Sequence, residues 1–226
     1  MVKLEEKVML LEDGQKILFA GDSVTDDGRA RPVGEGNWAA LGNGFVRLID
    51  SCLAAEYPER KIHTVNMGIS GNTSRDLLAR WETDVNALKP DWVVLCIGFN
   101  DVWRQFDSPA ISEWAVSPQE YANNLRRMAE NTKAKMIWMT PYYLESNTED
   151  AMRKRMDEYG GIMKKIAAEK GIPCIDLQKK FERLLKYRYP AYITWDRIHP
   201  GAVGSVVIAR AFLETVGFCW NKENAE

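Results

Sequence analysis

The sequence predicts an α/β fold, a parallel sheet covered by helices on both faces. Two observations carry this. Short apolar runs of strand length alternate with longer stretches of helical periodicity, and that alternation builds parallel strands joined by crossover helices. The runs fall at 16–20, 62–65, 92–97, 135–139 and 172–175, spread over most of the 226 residues.

Taken in order, the first run, "KILFA", stops abruptly at Gly21-Asp22-Ser23. Residues 38–56 then read as a helix, apolar at Leu41, Phe45, Leu48 and Ile49, with Cys52 and Leu53 a turn further on. After the second strand, 74–88 opens on the cap-like "NTSRD" and sets Leu77, Leu78, Trp81 and Val85 on one face. Helices at 118–132 and 149–170 follow the third and fourth strands. In the latter, Met152, Met156, Tyr159, Met163 and Ile166 recur at steps of four and three, a stripe that reads as core. No repeat, low-complexity stretch or Pro/Gly/Ser-rich linker interrupts this order, so one domain over 1–226 is expected.

Composition narrows the function. Lys and Arg total 30 against 32 Asp and Glu, a formal charge of −2, so no basic excess points to nucleic acid. Acids and lysines break up the opening "MVKLEEKVMLLEDGQK", leaving no apolar core of signal-peptide length. No apolar run approaches the roughly 20 residues of a membrane-spanning helix. The cysteines, Cys52, Cys96, Cys174 and Cys219, are far apart and form no C-x-x-C pair, which predicts free thiols in a reducing cytoplasm. Only two histidines occur, His63 and His199.

In a parallel sheet of this kind, ligands bind outside the carboxyl ends of the strands. Residues with chemistry gather there. The first strand ends at Gly21-Asp22-Ser23, the second runs into "NMGISGNTS", and the third ends in "IGFND". Past the last strand a loop carries "DRIHPG", residues 196–201. Each fragment has a plain structural reading. Ser23 or "GNTS" can cap a helix, and Asn100-Asp101 can form an Asx-turn.

Serine chemistry accounts for all four together. A serine hydroxyl needs a base to take its proton, and the base needs a carboxylate to fix its tautomer. His63 lies inside a strand and reads as structural. His199 lies in a loop with Asp196 three residues before it, so the carboxylate can fold back on the ring and leave the other nitrogen to Ser23. The backbone N–H groups of Ser23 and Gly71 and the side-chain amide of Asn100 are candidate donors to an oxyanion.

Gly21-Asp22-Ser23, Gly71, Gly98-x-Asn100-Asp101 and Asp196-x-x-His199-Pro200 resemble the four sequence blocks of the SGNH, or GDSL-type, hydrolases, in order. Val24 stands where the GDSL name puts leucine. The resemblance implies a three-layer α/β/α, flavodoxin-like sandwich with a five-stranded parallel sheet ordered 2-1-3-4-5. It implies Ser23 as nucleophile, His199 as base, Asp196 as its orienting acid, and Ser23, Gly71 and Asn100 as the oxyanion hole, with no metal or cofactor. Longer stretches, "GDSVTDDGRARPVGEGNWAALGNGFV", "IGFNDVWRQFD" and "MTPYYLESNTEDAMRKRMDEYG", are similar to the intracellular acetylxylan esterases of Gram-positive bacilli. That similarity implies an acetylated sugar as the small-molecule ester substrate, and homo-oligomers.

Asp22, Trp103, Arg104 and Trp195 are the candidate substrate contacts. Either tryptophan can stack on a sugar or simply pack. Arg104 can bond a sugar or brace its loop through Asp107. Asp26 and Asp27 fit an ion pair with Arg29 or Arg31 better than a metal site. The loop 105–119 is placed to wall the acyl pocket or to make a subunit contact. The alternative within the family is a short-chain esterase, thioesterase or lysophospholipase of broad specificity. A nucleotide-binding module is disfavoured, because neither G-x-x-x-x-G-K nor G-x-G-x-x-G follows a strand.

Overall fold

One sheet organises the computed structural model, which describes residues 8–36, 38–107 and 110–220. Its strands are β1 (Lys16–Gly21), β2 (Gly34–Glu35), β3 (His63–Asn66), β4 (Trp92–Cys96), β5 (Lys135–Met139) and β6 (Cys174–Ile175), side by side as β2-β3-β1-β4-β5-β6. The pairs β3–β1, β1–β4, β4–β5 and β5–β6 are parallel, giving the expected order for five strands. The five-stranded expectation is corrected at one edge. β2 pairs antiparallel with β3, Gly34 opposite Asn66, making a sixth strand. Two residues, one of them glycine, leave no apolar run for a sequence reading to find.

The helices are α1 (Ser23–Asp26), α2 (Phe45–Glu56), α3 (Ser74–Ala79), α4 (Trp81–Asp84), α5 (Phe99–Asp107), α6 (Pro118–Glu130), α7 (Ala151–Lys170), α8 (Leu177–Leu185), α9 (Pro190–Ile193) and α10 (Ala202–Thr215). α2, α8 and α10 pack together, as do α3, α5, α6 and α7, and these groups form the outer layers. The core runs through the sheet. Phe19 in the middle of β1 is fully buried and meets Phe45 and Phe212 edge-on, with centroids 5.9 and 5.5 Å apart. The methionine stripe of α7 is core too, Met156 and Met163 being wholly buried.

Two expected helices are broken. The 38–56 segment is a short 3-10 turn, Trp38–Leu41, followed by α2. Between them Gly42 takes φ +86°, and a Cβ there would lie 2.6 Å from the Asp26 carbonyl oxygen, so the chain bends to pass against α1. The 74–88 segment divides at Arg80, with φ −103° and ψ 9°. Its start is as expected: Thr73 and Asp76 form a reciprocal capping box. His63, first residue of β3, sits 3.0 Å from Glu35 on β2 and faces away from the strand ends. The four cysteines are unpaired. Among the described residues no helix is long and apolar enough to cross a membrane.

Candidate active site

The sharp turn after β1 has a local cause. Gly21 lies so close to the neighbouring strand that a Cβ would collide with the Cys96 carbonyl oxygen and the Thr25 hydroxyl. Asp22 then caps α1, its Oδ1 accepting the Val24 N–H at 3.1 Å. Ser23 is therefore the first helical residue, half-buried at the carboxyl edge of the sheet. Its N–H belongs to the unpaired first turn of the helix.

Asp22 corrects an expectation: it cannot touch substrate. The side chain is fully buried beneath the turn, and its Oδ2 has no partner. Burial pushes its carboxyl well above the usual range; the Val24 N–H opposes this and nearby Asp101 adds to it. Asp22 is a buried cap.

The 196–199 loop delivers the second half of the site. Asp196 Oδ1 accepts the N–H groups of Ile198 at 3.0 Å and His199 at 2.8 Å, and the Thr194 hydroxyl at 2.9 Å. This leaves Oδ2 for the His199 ring, whose Nδ1 lies 2.5 Å away. Arg197 takes the left-handed φ of +69° between them, an uncommon conformation outside glycine that folds the carboxylate back onto the ring. The segment after β5 braces the loop: the Tyr142 hydroxyl donates to Ile198 O at 2.8 Å and Leu144 N to Arg197 O at 2.9 Å. His199 Nε2 then stands 2.7 Å from Ser23 Oγ. With Nδ1–H donated to the carboxylate, Nε2 is left to accept the serine proton. Burial pushes the Asp196 carboxyl up, but hydrogen bonds from the His199 ring, the two N–H groups and Thr194 outweigh it and hold it below the usual range.

Gly71 and Asn100 flank the serine. Gly71 takes φ +83°, a left-handed conformation suited to glycine, and a Cβ there would meet nothing within 4 Å. Asn100, in the first turn of α5, donates one amide hydrogen to Asn72 O at 3.0 Å, and its Oδ1 accepts from Arg104 at 3.3 Å. These contacts fix the amide orientation, and the second hydrogen of Nδ2 is left over. Gly71 and Asn100 thus stand on the segments that follow β3 and β4, the two strands on either side of the one that ends at Ser23.

The remaining candidates divide. Arg104 pairs with Asp107 and reaches Asn100, so it braces its own helix. Trp195 is 82% exposed and stacked parallel to the His199 ring at 6.1 Å. Trp103 is half-buried and tilted 53° to the same ring at 5.8 Å. Asp26 pairs with Arg31 at 2.6 Å. In the 105–119 loop, α5 extends to Asp107 and a 3-10 turn covers Ser112–Trp114, with Trp114 half exposed; residues 108 and 109 lie outside the described ones.

Several residues outside the expected site also shape it. Fully buried Asp101 accepts from the N–H and hydroxyl of Ser74, tying α3 to α5. Burial pushes its carboxyl up to about 6 against those bonds. Arg80 donates to Asn72 Oδ1 at 2.7 Å, Met67 O at 3.0 Å and Gly21 O at 3.1 Å, joining two of the loops. Asn66 bonds Thr25 O at 2.7 Å and Leu41 O at 2.8 Å from beneath. Only an arginine at a helix break and a polar residue closing a strand hinted at them. Among the described residues, no group of three or more His, Cys, Asp or Glu could hold a metal.

Known proteins resemble this chain over nearly its whole length. The chain is 51% identical over 215 residues to the acetylxylan esterase of Geobacillus stearothermophilus, covering 94% of this chain and 98% of that one. It superposes on the crystal structure of Axe2, an acetylxylan esterase from Geobacillus stearothermophilus, with a TM-score of 0.92 at 51% identity over the same shares. LAE5, an α/β hydrolase enzyme from the metagenome of Lake Arreo, Spain, gives 0.89 at 48% identity, covering 93% of this chain and 98% of that one. Residues 19–206 match the GDSL-like Lipase/Acylhydrolase family, and the chain belongs to that family.

Proposed function

We propose that this protein is a serine esterase that removes acetyl groups from acetylated xylo-oligosaccharides or similar sugars through an acyl-enzyme. The observation that carries the reading is the hydrogen-bonded chain Asp196–His199–Ser23, closed at 2.5 and 2.7 Å. Ser23 Oγ attacks the ester carbonyl carbon while its proton passes to His199 Nε2. The carbonyl oxygen, now negative, lies between the N–H groups of Ser23 and Gly71 and the Asn100 amide. Collapse breaks the bond to the sugar oxygen, which takes the proton from Nε2. Water then repeats the sequence on the acetyl-serine, releasing acetate and restoring the serine. Each oxyanion donor in such a site is worth on the order of 100- to 1000-fold in turnover.

Support for a sugar ester comes from the 51% identical acetylxylan esterase and from the two tryptophans about His199. Trp195, stacked on the base and open to solvent, offers a flat apolar face to a sugar ring. Arg104 is taken up by Asp107 and Asn100, so the aromatic pair carries the substrate contact in this reading.

We further propose self-association, motivated by the exposed Tyr187, Tyr189, Tyr192 and Trp195 in the segment that leads into the His199 loop. A single monomeric mass in sedimentation velocity removes that idea.

Two experiments test the enzymatic reading. Acetate release from acetylated xylo-oligosaccharide is expected in wild type and absent in Ser23→Ala. Trp195→Ala should raise KM for the sugar ester by about threefold to tenfold, the scale of one aromatic stacking contact, and leave KM for p-nitrophenyl acetate unchanged. Cleavage of p-nitrophenyl acetate without the sugar ester leaves the esterase standing and favours the broad-specificity alternative. The second experiment is the pH profile. kcat/KM should fall toward acid pH, because Ser23 is activated only while Nε2 of the base is free to accept its proton. Asp196, held low, stays a carboxylate through that range and does not set the limb. A rate flat down to about pH 4 contradicts this base.

A further inference from the structure

Asp26 takes no part in the steps above, yet it is a carboxylate only 2% exposed at the end of the nucleophile's own helix. Its Oδ2 accepts three hydrogen bonds: the Ser70 N–H at 2.9 Å, the Ser70 hydroxyl at 2.9 Å and Arg31 Nη2 at 2.6 Å. Its Oδ1 is buried without a partner. Burial pushes the carboxyl up, and the Arg31 and Ser70 bonds outweigh it, so the group is held below its usual range and stays ionised. Burying a charge costs stability unless it is well paired, so three donors on one oxygen mark a site built around it.

What those bonds grip is the turn after β3. Ile69 N–H donates to Gly21 O at 3.1 Å and Asn72 N–H to Ile69 O at 3.2 Å, which closes residues 69–72 into one unit. That unit carries Gly71 N–H, and its Asn72 carbonyl orients the Asn100 amide at 3.0 Å. Asp26 in turn is fixed to the nucleophile turn by its own N–H, which donates to Asp22 O at 2.9 Å. Arg29 holds the approach to the unit through Gly68 O at 2.7 Å, and Arg80 its far side through Asn72 Oδ1. Asp26 is the side chain that holds the residue immediately before Gly71.

We propose that Asp26 is a positioning residue for the oxyanion hole. By fixing the 69–72 turn to α1, it sets the spacing of the Gly71 and Asn100 donors from the Ser23 N–H. The proposal rests on the ester-hydrolase reading and is indifferent to which ester is natural. A donor displaced by a fraction of an ångström still lets substrate dock but holds the oxyanion poorly, so the loss falls on kcat and spares KM.

The test compares the full-length wild type with Asp26→Asn and Ser70→Ala in p-nitrophenyl acetate hydrolysis, scaled to folded protein by circular dichroism. Amide proton–nitrogen spectra of all three are recorded alongside. Expected are a fall in kcat of about 10- to 100-fold for Asp26→Asn and about 3- to 10-fold for Ser70→Ala, with KM within about twofold. The amide resonances of Ser70 and Gly71 in Asp26→Asn, and of Gly71 in Ser70→Ala, should move while those of β4 stay. A kcat within twofold of wild type in both variants, or a KM increase at constant kcat, overturns the proposal. So do unmoved Ser70 and Gly71 amides, and that arm decides the matter even if the wild type leaves the ester uncut, an outcome that by itself refutes only the esterase reading.

Discussion

Ser23 leaves the sheet from β1, and β1 lies between β3 and β4 in direct hydrogen-bonded register. That constraint arranges the rest of the site. Because parallel strands end on the same side, the chain segments that follow β3 and β4 must emerge on either flank of the serine. The first brings Gly71 and the second Asn100. Gly21 pairs with Cys96 where the turn begins, and its lack of a side chain allows the strands to stay close there. The histidine loop comes from much further along the chain, and its attachment through Tyr142 and Leu144 completes the ring of loops.

Four carboxylates around this point are shifted in opposite directions, decided by the balance between burial and the bonds that reach each. Asp22 and Asp101 are wholly buried, and their few bonds do not offset desolvation, so both are pushed toward the neutral acid. Asp26 and Asp196 collect charged or multiple donors and remain anionic. The division follows position. Asp196 and Asp26 sit where charge is useful, Asp196 beside the imidazole that becomes a cation and Asp26 against Arg31 and the N–H and hydroxyl of Ser70.

Much of this was legible in the sequence because the chemistry is concentrated in short blocks at strand ends, and strand ends are readable from apolar runs. The order of the five parallel strands, the placing of Ser23, Gly71, Asn100, Asp196 and His199 on neighbouring loops, and the core stripe of α7 all follow from that. Illegible were features made by tertiary contact alone. β2 is too short to carry a pattern. The break at Arg80 arises because its guanidinium reaches three loop acceptors, which no local propensity encodes. Asp22 looked like a site residue because it adjoins Ser23. Sequence adjacency in a tight turn, however, sends consecutive side chains in different directions, and Asp22 goes inward.

Everything in the proposed chemistry depends on His199 activating Ser23. The direct test is covalent: a fluorophosphonate ester is incubated with the wild type and with His199→Ala, and the adduct is located by mass spectrometry of the digested protein. Serine oxygen displaces fluoride from phosphorus only when a base removes its proton. The account predicts one adduct, on Ser23, forming in the His199→Ala protein at a rate lower by about 10⁴-fold. Labelling at another serine, or at Ser23 with equal speed in both proteins, contradicts it.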